Sequence, residues 1–166
     1  MKFLVDAPLG GLAKWLRFCG FDTTVRPLSA RGPLPQPQAD TFILTLQTSL
    51  ARFGRGDIVI LRAAAPEAQL REVLRRLKVS RRDLDLMSRC VKCNEALVPL
   101  SRDAVAGRVP EYIWHTQKEF YECPACRRVY WPGSHTDGIS RKVHAALGRS
   151  SRRSAGGKSP SQRSTP

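Results

Sequence analysis

The chain has 166 residues, with 28 Lys and Arg residues against 14 Asp and Glu residues and a formal net charge of +14 at pH 7. This length suits one ordinary domain, or a small domain followed by a metal-stabilised module. The sequence contains no apolar run of about 18 residues and no signal-peptide pattern at its N-terminus, so we expect a cytoplasmic protein without a membrane partner.

The first elements along the chain are a strand and a helix. Residues 2–6 form an apolar run of strand length that ends at Asp6, and residues 9–19 place apolar side chains at helical spacing. Cys19 lies on the apolar side of this helix, where we expect a packed core thiol. Lys14 and Arg17 lie on the opposite side of the helix.

The following segments complete an α/β domain over residues 1–86. Residues 27–38 contain four prolines and are predicted to form a loop. Residues 41–46 and 57–61 are apolar runs without alternation, which is typical of strands in a buried parallel sheet, and residues 66–79 have the apolar spacing of a helix. The alternation of strands and helices predicts a small, doubly wound parallel sheet flanked by helices.

Paired cysteines dominate the next segment, residues 87–137. Cys90 and Cys93 form one C-x2-C pair, and Cys123 and Cys126 form a second pair after 29 intervening residues. Each pair can present two sulfurs to a tetrahedral ion, and two pairs complete a closed, structural zinc site. The alternatives are two disulfides, which a cytoplasmic location disfavours, a redox dithiol, which would need no second pair, or an iron site. This spacing predicts a zinc ribbon whose metal has no open position for catalysis.

The last segment, residues 138–166, is predicted to be a basic and mostly disordered tail. It contains seven basic and no acidic residues, and no apolar residue larger than alanine follows Gly148. Such charge attracts polyanions through phosphate neutralisation and counterion release. An Arg-rich composition that only keeps the protein in solution is the alternative.

Several motifs, in this order, resemble the Mut-seven C-terminal RNase domain family: "KFLVDAPLGGLAKWLRFCGFDT", "AQLREVL", "SRCVKCNEAL" and "EFYECPACRRVYWPGSH". The resemblance covers about residues 1–137. It implies a PIN-like nuclease fold with a zinc ribbon, ribonuclease activity and RNA as the partner.

The same resemblance implies that Asp6 is the first acid of a cluster that binds Mg²⁺ or Mn²⁺ at the carboxyl edge of the sheet. Hydrolysis of a phosphodiester requires several converging oxygen ligands and a metal-activated water. The sequence departs from the family because Gln47 replaces an acid and only Asp40 remains near the place of another. The candidate catalytic residues are therefore Asp6, Asp40 and Gln47, in a centre that has lost at least one acid. The alternative for Asp6 is a cap on the following helix.

The candidate RNA contacts are basic or histidine side chains in both modules, namely Lys14, Arg17, Arg127, Arg128 and His135. A structural histidine is an equally good interpretation of His135. The leading hypothesis is an RNA-directed ribonuclease-type protein with a degenerate nuclease centre. The alternatives are a non-catalytic module that binds RNA, the ribosome or another ribonucleoprotein, and a ribbon that binds protein alone.

Overall fold

The structure is a computed structural model that describes residues 1–148. The strands in this range are β1 (Lys2–Asp6), β2 (Asp22–Arg26), β3 (Thr41–Thr45), β4 (Ile58–Ile60), β5 (Val98–Leu100), β6 (Phe120–Glu122) and β7 (Val129–Tyr130). The α-helices are α1 (Gly10–Phe18), α2 (Pro66–Arg76), α3 (Arg102–Val105), α4 (Glu111–Thr116) and α5 (Ser134–Ala146). Short 3-10 turns form at Ala7–Leu9, Thr48–Phe53 and Arg81–Asp83.

The first four strands form one parallel sheet in the order β2-β1-β3-β4. The predicted α/β fold with a parallel sheet flanked by helices is confirmed, but the expected doubly wound arrangement is wrong, because α1 and α2 both pack on one face of the sheet. Strand β2 was not predicted, because the sequence of this edge strand lacks the apolar run of the inner strands and leaves Thr24, Val25 and Arg26 exposed.

One face of the sheet carries the main core. Phe3 and Val5 of β1 and Leu44 of β3 belong to the same buried cluster as Leu12 of α1 and Leu70 of α2. Both helices repeat their apolar side chains at intervals of three or four residues, so each buries one stripe against the strands.

The opposite face is covered by the connection from β2 to β3, residues 27–40, which we call the proline strap. Because β2 and β3 lie on either side of β1, this connection must cross the sheet. The strap covers Leu4 and Ile43, which are buried outside the main cluster, and the Arg55 guanidinium donates to the Pro35 carbonyl at 2.6 Å. Its prolines prevent a crossover helix, so an irregular segment covers this face.

Strands β5, β6 and β7 form a small antiparallel sheet that carries the second cysteine pair between β6 and β7. We call residues 88–132 the ribbon module. None of the helices within residues 1–148 is both long and apolar enough to cross a membrane.

Helix α5 corrects the prediction that a mostly disordered tail begins at residue 138. Val143 and Ala146 are buried in the main core, where α5 packs against α2, and Lys142 pairs with Glu67 at 2.7 Å. The basic residues of this segment hid the apolar stripe that Val143 contributes to. The part of the predicted tail after Gly148 lies outside the described residues.

The ribbon module docks directly on the edge of the parallel sheet. The Arg17 guanidinium donates to the carbonyl of Thr23 at 3.0 Å and to those of Val91 and Lys92 at 3.1 and 2.9 Å. The Asn94 side chain accepts from the Thr23 amide at 2.8 Å and donates to an Asp22 oxygen of β2 at 2.7 Å. These bonds join the first cysteine pair to α1 and β2.

Candidate functional site: the sheet edge and the cysteine cluster

Asp6 lies where the topology of the parallel sheet favours a binding site. The chain leaves β1 toward β2 on one side and returns to β3 on the other, so the carboxyl end of β1 is a topological switch point. Ligands of open α/β sheets bind outside the carboxyl ends of the strands at such points. Asp6 therefore lies at the edge of the sheet where open α/β proteins bind their ligands.

The environment of the Asp6 carboxylate is closed and neutral. Asp6 is only 2% exposed. Four uncharged groups donate hydrogen bonds to its carboxylate oxygens. Oδ1 accepts from the amides of Ala7 at 3.0 Å and Leu28 at 3.1 Å, and Oδ2 accepts from the Thr45 hydroxyl at 2.8 Å and the Gln47 amide at 2.7 Å. Asp6 thus caps the 3-10 turn after β1 and also ties the proline strap to the end of β3.

Gln47 is fixed in one orientation by its two acceptors. Its Nε2 donates to Asp6 Oδ2 at 2.7 Å and to the Leu28 carbonyl at 2.9 Å. Because both partners are pure acceptors, the amide nitrogen, rather than the carbonyl oxygen, must face Asp6. An N–H donor therefore faces Asp6 Oδ2, an oxygen that would need a free lone pair to bind a divalent cation.

The structure does not bring Asp40 to this site. Asp40 precedes β3, and its carbonyl accepts from the Lys2 amide at 2.7 Å, at the amino end of β1. Asp6 ends β1, so four strand residues, or about 13 Å, separate the two positions. Within residues 1–148, the cysteine cluster is the one group of three or more Cys, His, Asp or Glu residues that could hold a metal ion. The residues at the sheet edge do not fit the Mg²⁺ or Mn²⁺ that the family resemblance implies.

The four cysteines form the second candidate site, and the structure brings them together as the sequence predicted. The sulfurs of Cys90, Cys93, Cys123 and Cys126 all lie within 4.8 Å of one another, and no disulfide joins them. Cys90 and Cys123 are buried, whereas the second cysteine of each pair is partly exposed. This donor set fits a tetrahedral metal such as zinc.

Each cysteine pair lies in the same kind of turn. The residue after each pair, Asn94 or Arg127, has a positive φ of 72° or 59°. Its amide donates to the carbonyl of the first cysteine, Cys90 at 2.9 Å or Cys123 at 2.8 Å. The backbone geometry of the two turns therefore fixes the positions of the sulfurs. The positive φ explains the asparagine in the first turn, because asparagine tolerates this conformation.

Tyr130 contacts the cysteine cluster and was not singled out from the sequence. Its hydroxyl lies 3.1 Å from Cys90 Sγ, and the Cys93 amide donates to the same sulfur at 3.3 Å. Although burial opposes ionisation, these contacts lower the pKa of Cys90 to about 6, whereas hydrogen bonding to Cys126 raises the pKa of Cys93 to about 12. The C-R-R-V-Y spacing, which puts an aromatic residue four positions after a ligand, is the signal that identifies it.

The predicted RNA contacts have different environments. Lys14 is exposed on α1, whereas Arg17 is used by the docking bonds to the ribbon module, and burial lowers its pKa. Arg127 pairs with Glu122 at 3.0 Å. Arg128 and His135 are exposed. The sites of Lys14, Arg128 and His135 are therefore accessible, whereas Arg17 has a structural role.

The lone Cys19 is fully buried in the main core, and burial raises the pKa of its thiol to about 12. The expectation of a packed core thiol agrees with this placement. An unreactive thiol of this kind takes no part in either site.

Comparison with known proteins identifies the chain through one family model. No curated protein and no solved structure matches the chain significantly. The model of the Mut7-C RNAse domain matches residues 1–143, which include the parallel sheet, the ribbon module and most of α5. The match extends beyond the segment on which the sequence resemblance was based, and with the fold and both sites it leads to one conclusion: the chain belongs to the Mut7-C RNAse domain family.

Proposed function

We propose that this protein is an RNA-binding member of its ribonuclease family, with a PIN-like sheet that no longer cleaves RNA by a metal-dependent mechanism. One observation carries the proposal: the Asp6 carboxylate is saturated by four neutral donors, and one of them is the amide that replaces a family acid. Hydrolysis by metal ions requires carboxylates that converge on the cation and a positioned water. Asp6 alone supplies neither.

Retained RNA binding is supported by the surface of α2 and the turn after it. This surface, which we call the basic ridge, consists of Arg71, Arg75, Lys78, Arg81 and Arg82, and all five are exposed. None of them forms an ion pair within residues 1–148, whereas the neighbouring Arg76 is paired with Glu72. Unpaired cations at this density favour the phosphate backbone of a nucleic acid.

We infer that the metal of the ribbon module is zinc. Four thiolates in two turns of the same geometry match the ligand number and softness that zinc prefers. A closed set of four ligands leaves no position for water, so the metal stabilises the module and does not catalyse. Reduced cysteines also agree with the cytoplasmic location that we propose.

The test measures binding and cleavage on the same zinc-loaded protein. Fluorescence anisotropy with a labelled single-stranded RNA should give binding that weakens steeply as salt rises, while a gel assay with Mg²⁺ or Mn²⁺ should detect no product. Replacing Arg71 and Arg75 by Gln should weaken binding most at low salt. No measurable binding at low salt would refute the RNA-binding half of the proposal.

A matched pair of variants tests the catalytic half. Asp6→Asn changes the saturated carboxylate, and Asp40→Asn makes the same change at an exposed site at the other end of the sheet, where Asn suits the positive φ of 58°. Cleavage that depends on metal, disappears in Asp6→Asn and persists in Asp40→Asn would overturn the proposal. Circular dichroism and zinc content must be unchanged for that comparison to hold.

A further inference from the structure

The ribbon module and the start of α5 enclose a cleft that neither the sheet edge nor the metal site uses. Its volume is about 400 Å³, and its walls include Tyr112 of α4, Tyr130 of β7, Trp131 and His135. We call it the aromatic cleft. A space of this size accommodates a ligand larger than a single water or ion.

The aromatic side chains of the cleft face solvent rather than a protein core. Tyr112 is 72% exposed, which is high for a large aromatic residue, and Trp131 is partly exposed. Tyr130 is held in place because its hydroxyl lies 3.1 Å from Cys90 Sγ while its ring lines the cleft. One wall of the cleft is thus preorganised by the cysteine cluster, and Tyr112 and Trp131 add exposed aromatic surface.

Polar groups of the cleft are also open to a ligand. The Trp131 indole, the His135 imidazole and the Gln117 amide line the cleft, and within residues 1–148 no buried side-chain nitrogen or oxygen lacks a hydrogen-bond partner. The groups of the cleft without a protein partner are therefore those that reach solvent. They can bond the edge of a flat ligand whose face stacks on an aromatic ring.

Charged side chains of both signs flank the cleft. None of its lining residues is a carboxylate, the exposed Arg128 directly precedes the lining residue Val129, and the exposed Glu111 and Asp137 each adjoin another lining residue. A flat face, a hydrogen-bonding edge and a cation beside one wall together suit a nucleotide. Proteins bind the bases of single-stranded RNA by such aromatic stacking, because bases in a duplex are not accessible.

We propose that the aromatic cleft binds an unpaired nucleotide of RNA, with the base stacked on Tyr112 or Trp131 and the phosphate near Arg128. This inference rests on the proposed RNA-binding function and adds a preference for single strands. The basic ridge supplies affinity that depends on charge alone, and the aromatic cleft supplies selectivity for unpaired bases.

The experiment compares labelled single-stranded hexanucleotides with an RNA duplex of the same charge, using the zinc-loaded protein. Tyr112→Ala should weaken single-strand binding by about 5-fold to 150-fold, because stacking of one base on an aromatic ring contributes about 1–3 kcal/mol. The factor should be the same at low and high salt, since stacking does not depend on counterion release. Tyr112→Phe should bind like wild type. Phe53→Ala removes an exposed aromatic residue, 37% exposed, from the other module and serves as the control.

The outcomes separate this inference from the proposed function. If wild type binds RNA but Tyr112→Ala and Trp131→Ala both bind single strands as well as Phe53→Ala does, the cleft is not a nucleotide site and only this inference fails. If wild type binds duplex and single strand equally, the inference also fails. If no RNA binds at low salt, the proposed function fails with it, and a peptide becomes the better candidate for the cleft. A zinc content equal to that of wild type confirms that each variant is folded, because Tyr112 is not one of the four cysteines.

Discussion

Replacing Gln47 with Glu tests the closed environment of Asp6 with almost no change in shape. The substitution removes an N–H donor and places an oxygen about where Nε2 lies, 2.7 Å from Asp6 Oδ2. In an effective dielectric of about 20, two full charges at this separation repel by about 6 kcal/mol.

In the folded variant, protonation of one carboxyl group of the Asp6–Glu pair costs less free energy than keeping both groups charged. Keeping a Glu with a reference pKa of about 4.3 protonated at pH 7 costs about 4 kcal/mol, since each pKa unit corresponds to about 1.4 kcal/mol. The folded variant then binds one more proton than the unfolded chain, so its stability falls as pH rises from about 4.3 to the raised pKa of the pair. Between pH 6 and pH 8 the free energy of unfolding should fall by about 2.7 kcal/mol relative to wild type.

The assay is urea unfolding of both proteins at pH 6, 7 and 8, a range in which thiolates should keep the metal bound. Gln47→Met is the matched control, because it removes the same hydrogen bonds without adding a charge and should give a difference that does not change with pH. Mn²⁺ should raise the melting temperature of Gln47→Glu but not of wild type, and RNA cleavage should stay absent because one added acid does not complete the site. A destabilisation of Gln47→Glu that is the same at pH 6 and pH 8 would refute the placement of Gln47 against Asp6.

Three further predictions concern the ribbon module and the tail. Elemental analysis should find one zinc per chain. Tyr130→Phe, which removes the hydroxyl beside Cys90, should lower zinc affinity by about 10-fold or more in a chelator competition. Tyr121→Phe, whose hydroxyl lies beside Glu119, should leave zinc affinity unchanged. Asn94→Gly preserves the left-handed turn but deletes two bonds to β2, so denaturant unfolding should show a loss of about 1–3 kcal/mol, and an unchanged stability would mean that the modules are not coupled there. Truncation after Gly148 removes five basic residues and should make the slope of log K against log salt shallower, whereas an unchanged slope would assign these residues to solubility alone.

Local patterns in the sequence were enough to predict the parts of the fold that depend on local spacing. The apolar run that ends at Asp6 predicted an inner strand with its acid at the carboxyl edge, and the two C-x2-C pairs predicted a cluster that the structure forms. Both follow from short-range geometry, since a strand alternates every residue and a cysteine turn needs only two intervening residues.

Features that depend on distant parts of the chain could not be predicted in this way. Arg17 looked like an exposed cation on a helix, but its acceptors at Val91 and Lys92 lie more than 70 residues away. Asp40 looked like a candidate partner of Asp6 because it precedes β3, which Gln47 follows, yet the strap brings it to the opposite end of the sheet. The apolar stripe of α5 was overlooked among basic residues, and only its packing on α2, far away in the sequence, shows that it is buried.

The docking of the first cysteine turn on β2 has a consequence for how the protein fails. β2 is an outer strand of the parallel sheet, and at Thr23 its amide is bonded by Asn94 and its carbonyl by Arg17, so these backbone groups are not available to a strand from another molecule. Oxidation of the cysteines to disulfides or sulfenic acids would eject the metal and release the turn that holds Asn94. The uncovered strand could then pair with its counterpart in a second molecule. Oxidative stress should therefore convert this protein into insoluble aggregates, well before its helical core unfolds.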